Sequence, residues 1–329
     1  MNNFYKLLSI VFISSGLTGI SNAKPIANTY TPQSVVLNPA YFNTEHFLKN
    51  ISLVKCTLEN NQEALCFELA VKSNPIKDGP YCPKTLNDIG GIYIYDGKTN
   101  PGLRVLKRDL FEDMEKDGYD IVDDQGNIRF ALAIPGQPPS NPEYAYCIEA
   151  EHDYNLKLTY YIPAYPSYAA EPTPMSSASN IVGLSLIGLP INGLPPSVVT
   201  GPDGQRGGSI PALDPCGGHI NEGFYHSHIF PETINNIFIK NHIYDAQCQG
   251  VYQKFDSELI GYAMDGFPIY GSFEFTGMPP TDLDECNGHV SPTLHYPWGE
   301  YHYHADIDSP VNIPTCLKGN LAKDQLVIE

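Results

Sequence analysis

The 329-residue sequence has little charge, and little of that charge is positive. Only 17% of its residues are Asp, Glu, Lys or Arg, with 37 acidic against 19 basic, so a net charge of -18 is spread along the chain. A surface of that sign repels phosphate backbones and anionic bilayers, which disfavours nucleic acid and anionic lipid as partners and leaves cations and neutral glycans open. Tryptophan occurs once, at Trp298, and the 22 tyrosines are scattered. Most of them therefore belong on sheet faces and in turns, not on a sugar-stacking platform. The exception is Tyr296 to Tyr303, where Trp298 and three tyrosines crowd a histidine motif and are expected to line its mouth.

Sharper signatures are missing as well. No GxSxG, HExxH, Walker or dinucleotide-binding glycine motif is present, which disfavours a serine hydrolase, a zincin protease, a P-loop enzyme and a Rossmann dehydrogenase. The stretch TDLDECNG (Thr281–Gly288) opens like a calcium loop, but Cys286 takes the fifth ligand position and no Glu closes it. Beyond the first 23 residues no run approaches the roughly 18–20 apolar residues of a spanning helix.

What is present begins with an export pattern of bacterial type. Lys6 precedes an apolar run from Leu7 to about Ile20, and Ser21 and Ala23 stand where a signal peptidase reads small residues. Residues 1–23 are thus expected to be a signal peptide, and the mature chain to be secreted, either periplasmic or extracellular. All eight cysteines follow that point, none in a CxxC spacing, and an even count in an oxidising compartment reads as four disulfides.

ISLVKCTLENNQEALCFELAV (Ile51–Val71) reads as a hairpin turning at Asn60 and Asn61. Further strands are expected at Gly91–Tyr95, Ile128–Ile134, Tyr144–Ala150 and Leu156–Ile162, with one helix over Lys107–Asp117 stopping before Gly118. The Pro- and Ala-rich stretch Ile162–Ser179 has neither strand nor helix period and reads as a connection. The expected fold is α+β and β-rich, mainly antiparallel sheet with few short helices, followed by a loop-rich, disulfide-stapled C-terminal half. The boundary falls between 24–176 and 177–329.

The C-terminal half carries a duplication. GLSLIGLPING (Gly183–Gly193) aligns without gaps on GYAMDGFPIYG (Gly261–Gly271), and each copy is followed by a second block: DPCGGHINEGFYHSH (Asp214–His228) and DECNGHVSPTLHYPWGEYHYH (Asp284–His304). Self-similarity of this kind implies a duplicated structural unit, here 183–248 and 261–316. Of the 105 pairings that eight cysteines allow, Cys216 with Cys248 and Cys286 with Cys316 is the economical one for this half, one bridge inside each copy.

The two blocks resemble the YHYH family, on LIGYAMDGFPIYG, LDECNGH and the tetrapeptide Tyr301–His304, over roughly Ile181 to Leu317. The first copy departs from the pattern: it has Tyr-His-Ser-His at Tyr225–His228, and Ile187 where the second copy has Asp265.

Side chains alternate along a strand, so His302 and His304 share one face and Tyr301 and Tyr303 the other, and His226 and His228 do the same. Two imidazoles so placed chelate a cation, and His289 or His219 can supply a third ligand. With the cysteines in disulfides, the ligand set His219, His226 and His228, and His289, His302 and His304, suits zinc or copper with one position open. Asp214, Asp284 or Glu300 are expected behind the rings as partners that fix the tautomer; His242 and His295 have no counterpart in the other copy. Three functions follow: a secreted transition-metal-binding protein, an extracellular metal-dependent hydrolase with Asp265 or Glu300 as base, or an adhesion module with structural histidines that only satisfy buried carbonyls.

Overall fold

The computed structural model describes residues 36–134, 140–199 and 207–329. The expected signal at 1–23 lies outside the described residues. Eight strands precede the duplication: β1 (Ser52–Thr57), β2 (Glu63–Lys72), β3 (Ile92–Tyr95), β4 (Gly102–Val105), β5 (Phe130–Leu132), β6 (Cys147–Glu149), β7 (Lys157–Pro163) and β8 (Tyr168–Pro174). The first copy supplies β9 (Ile181–Ser185), β10 (Pro190–Asn192), β11 (Ile210–Pro211), β12 (Gly218–Asn221) and β13 (Phe224–Ser227). The second supplies β14 (Leu259–Ala263), β15 (Pro268–Tyr270), β16 (Gly288–Ser291) and β17 (Glu300–His304), and β18 (Cys316–Gly319) and β19 (Leu326–Ile328) close the chain. Two α-helices stand out among them, α1 (Arg108–Asp117) and α2 (Ile234–Lys240).

The hairpin forms as β1 and β2, antiparallel, with Asn61 at φ 68° in its turn, a conformation asparagine tolerates better than most residues. Helix α1 buries Leu110, Phe111 and Met114 on one stripe and ends at Gly118, whose φ of 98° only glycine adopts readily. The Pro- and Ala-rich stretch is not wholly a connection: Tyr168–Pro174 within it is β8, paired antiparallel with β18. This ribbon has two strands. Its proline-bearing strand therefore gives up few ladder bonds, and its partner lies some 150 residues away, where no local periodicity reveals it.

Most pairing is antiparallel, with short parallel ladders at β5–β6, β11–β6, β10–β13 and β15–β17. The largest sheet has eight strands in the order β12-β13-β10-β9-β14-β15-β17-β16, which reads the same from either edge when the copies are exchanged. At its middle, antiparallel β9 and β14 place Leu184 opposite Tyr262, and Gly183 and Ser185 opposite Ala263 and Gly261. These are the positions the sequence repeat equates, so the duplication is a two-fold relation through the β9–β14 pair. Gly183 and Gly261 permit it, because a Cβ on either would overlap the main chain of the facing strand.

The chain crosses residue 176 repeatedly. β19 joins β7 in the N-terminal sheet, β18 joins β8, and the described residues belong to one compact unit. One continuous core runs from Leu69 and Tyr160 through Leu184 and Tyr262 to Tyr303 and Leu317. All eight cysteines are bonded: Cys56–Cys66, Cys82–Cys147, Cys216–Cys248 and Cys286–Cys316. No helix among the described residues is long and apolar enough to cross a membrane.

Glu232, between β13 and α2, is buried with Ser185 beside its carboxylate, and burial pushes its pKa up to about 7. The folded chain therefore keeps a proton that the unfolded chain releases at lower pH. The corresponding stability is present below the ordinary carboxylate range and is lost as pH rises through about 7. Glu232→Gln should remove this slope, raising stability at pH 8 by on the order of 1–3 kcal/mol relative to its effect at pH 4; denaturant unfolding at the two pH values measures it. At the centre of the sheet, Gly261→Val should cost about 1–3 kcal/mol or more by forcing β9 and β14 apart, whereas Gly102→Val, where no atom crowds the added carbon, should cost only the strain of its positive φ.

Candidate metal centres

In both copies the motif is assembled by one carboxylate, buried in the first and half-buried in the second. Asp214 Oδ1 accepts from the amides of Cys216 (2.9 Å) and Gly218 (3.2 Å) and from the Tyr225 hydroxyl (2.9 Å). Asp284 does the same with Cys286 (2.9 Å), Gly288 (3.2 Å) and, through Oδ2, Tyr301 (3.0 Å). The carboxylate thus fixes the D-x-C-x-G turn and pins the tyrosine of the following Tyr-His strand against it. The glycine before each first histidine is required by close approach, since a Cβ on Gly218 or Gly288 would overlap the ring of Tyr225 or Tyr301. With the tyrosine held on one face, alternation delivers the histidines to the other.

Register completes the cluster. His219 pairs with His226 across β12–β13, and His289 with His302 across β16–β17. In the second copy His302 Nε2 and His304 Nε2 stand 3.1 Å apart, and His304 Nε2 is 3.3 Å from His289 Nε2. Glu274, which follows β15, brings Oε1 to 3.0 Å from His289 Nε2. Behind the rings, Nδ1 of His302 faces the Glu300 carbonyl (2.8 Å), Nδ1 of His304 the Gly271 carbonyl (2.7 Å) and Nδ1 of His289 the Asp282 carboxylate (2.7 Å). In the first copy His228 Nε2 and His219 Nε2 are 3.1 Å apart, and His228 Nδ1 faces the Gly193 carbonyl at 2.6 Å. The buried His226 ring lies against the Phe224 backbone, as His302 lies against that of Glu300.

The tautomers follow from these contacts. A carbonyl only accepts, so His302 and His304 each carry their proton on Nδ1. Burial lowers their pKa to about 3 and about 4, so both rings are neutral at pH 7. Their Nε2 lone pairs then face each other at 3.1 Å with no proton between. Burial likewise lowers His219 to about 3 and His228 to about 4, and lowers His226. Nitrogens bound tetrahedrally to zinc at about 2.0–2.1 Å lie about 3.3–3.4 Å apart; the observed spacings are of that size. The groups Glu274, His289, His302, His304 and His219, His226, His228 can each hold a metal ion.

All six expected ligands are thus gathered, three to each copy. Glu274 and Asp282 were not among the expected residues. Their signal was an acidic residue three positions after Gly271 and another two before Asp284, neither repeated in the first copy. The other expected roles change. Asp214 and Asp284 hold turns and tyrosines and do not back the rings, and Glu300 backs His302 through its main-chain carbonyl. Asp265 accepts from the Tyr303 hydroxyl (2.6 Å) and the Gly319 amide (2.8 Å) on the face away from the histidines, so it cannot serve as a base for them. Its replacement by Ile187 in the first copy accompanies Ser227 in place of Tyr303, both partners of one hydrogen bond lost together.

The aromatic mouth is not formed either. Trp298 is 96% exposed, Tyr296 donates to the Val36 carbonyl, and Tyr301 and Tyr303 point to the opposite face. His295 bonds Tyr270 and His242 is exposed; neither joins a cluster. Ser291, His289 and Asp282 lie in hydrogen-bonding sequence, but Glu274 is nearer to His289 Nε2 than the Ser291 hydroxyl is (3.0 against 3.3 Å), and it also accepts from that hydroxyl.

A two-fold duplicated sheet with an imidazole cluster and a disulfide-closed turn in each copy defines the class of protein. The family model described as YHYH protein matches residues 159–280 and 272–319. The chain belongs to the YHYH family through that C-terminal half. No curated protein and no solved structure matches it.

Asp284→Ala should leave the Tyr301 hydroxyl and two amides without their acceptor and cost about 1–3 kcal/mol. Denaturant unfolding measures the cost, and Tyr301→Phe should reproduce part of it.

Proposed function

We propose that this is an exported protein that binds two transition-metal ions, one per copy of the motif. The observation that carries the reading is the 3.1 Å approach of His302 Nε2 to His304 Nε2 when both rings carry their proton on Nδ1. Two lone pairs so placed repel, and a cation between them turns that repulsion into coordination. A hydrogen-bonding role alone would place a proton between the nitrogens, and the two backbone carbonyls exclude it.

Ligand chemistry narrows the metal. Neutral imidazoles with one carboxylate suit zinc or copper, and the near-tetrahedral spacing of the second cluster favours zinc. Asp282 behind His289 is the carboxylate–histidine arrangement that orients a ligating ring and raises its basicity. Four disulfides and an N-terminal export pattern agree in pointing to an oxidising compartment, periplasmic or extracellular. There the metal meets no competing protein thiolate from this chain.

Protein produced without a histidine tag should contain, or take up on titration, two equivalents of zinc or copper by elemental analysis. His302→Ala should lose one of the two, and Asp282→Ala should weaken one about 10–100-fold. Less than a tenth of an equivalent, with no uptake on titration, would sink the reading.

A further inference from the structure

We infer that the two centres are unequal: the second is closed by its own carboxylate, whereas the first keeps an open coordination position that takes a small anion from a cavity. This rests on the two-metal reading and adds a ligand-binding function to one of its sites.

The copies differ at the residues that close the second cluster. Glu274 stands three residues after Gly271; three residues after the equivalent Gly193 stands Pro196. Asp282 stands two residues before Asp284; two before Asp214 is Ala212. Ser291, whose hydroxyl donates to Glu274 at 3.2 Å, becomes Asn221. Each of the three polar groups that cover His289 is therefore replaced in the first copy, and the carboxylate ligand itself by a residue with nothing to coordinate.

A void lies where they are missing. A cavity of about 220 Å³ reaches His219, His226 and His228 and is bounded by Pro196, Asn221, Glu222, Phe224, Leu326 and Ile328. That is smaller than the roughly 300–1,000 Å³ of pockets for drug-sized ligands, and suits a small occupant. The opening lies on the His219 side, since His219 is only partly buried while His226 and His228 are 3% and 0% exposed.

Charge selects the ligand. A divalent ion held by three neutral imidazoles keeps its full double charge, whereas Glu274 cancels half of it in the second centre. An open position on a dication in a cavity partly walled by Phe224, Leu326 and Ile328 favours a small monoanion with a lone pair to give. The step is a ligand exchange: water leaves the metal, the anion's lone pair takes its place, and no electron or proton moves.

Cobalt(II) as the metal and azide as the anion test this on the full, disulfide-bonded chain. Loaded with two equivalents of cobalt, the protein should show azide-dependent change in its visible absorption from one equivalent only. His304→Ala, left with the first centre, should keep the whole response, and Glu274→Ala should gain a second responsive equivalent. Pro196→Glu should diminish the response of the first. Two equivalents bound with azide perturbing both or neither would overturn the inequality while leaving the two-metal reading intact. Cobalt uptake that is absent at the His219 cluster would overturn both. The wild-type stoichiometry decides the matter even where a histidine variant fails to fold.

Discussion

One carboxylate per copy carries the architecture. Asp214 and Asp284 each satisfy the amides of a tight turn, receive a tyrosine hydroxyl from the next strand, and thereby set which face of that strand points inward. Because side chains alternate along an extended backbone, fixing the tyrosine fixes the histidine beside it. That bond adds to the ladder pairing that holds the register, where a slip of one residue would turn every imidazole to the other face. The disulfide in each turn then holds the loop at a second point, with Cys216 and Cys286 beside the carboxylates that anchor it.

Much of this was legible before any coordinates. Alternation within Tyr-His-x-His is a property of strands, so the pairing of His226 with His228 and of His302 with His304 on one face follows from spacing alone. The internal repeat likewise announces a two-fold relation, which the facing of Leu184 and Tyr262 makes concrete. What could not be read is whatever depends on distant partners. The strand Tyr168–Pro174 has no period of its own and exists because Cys316–Gly319 lies beside it. Glu274 and Asp282 are ordinary acidic residues until a loop folds back over His289. The same non-local folding moved Asp265 out of the role its motif suggested, since only the packed sheet shows that it faces Tyr303 and not the imidazoles.

The two copies have diverged in a correlated way. Where the second copy has Asp265 with Tyr303, the first has Ile187 with Ser227: an apolar residue and a hydroxyl that bonds the main chain at Cys216 and Ile229 in place of a buried polar pair. A buried hydrogen bond lost from one side alone leaves an unsatisfied group, whereas losing both partners is nearly neutral. This difference is a paired one, and the anchors are common to both copies: Asp214 and Asp284, Tyr225 and Tyr301, and three histidines in each.

The late strands bear on the order in which the molecule can be completed. β7 carries a neighbour on one side from the hairpin behind it, and on the other only from residues 326–328; β8 waits for residues 316–319. A chain emerging from its N-terminus thus exposes two unpaired strand edges until nearly its whole length is available. Such edges invite pairing with the wrong chain, and contacts this distant in sequence close slowly. For a polypeptide released from its N-terminus onward, the earliest-arriving sheet is then the last to be sealed, and the interval between the two is when it most needs shielding from its neighbours.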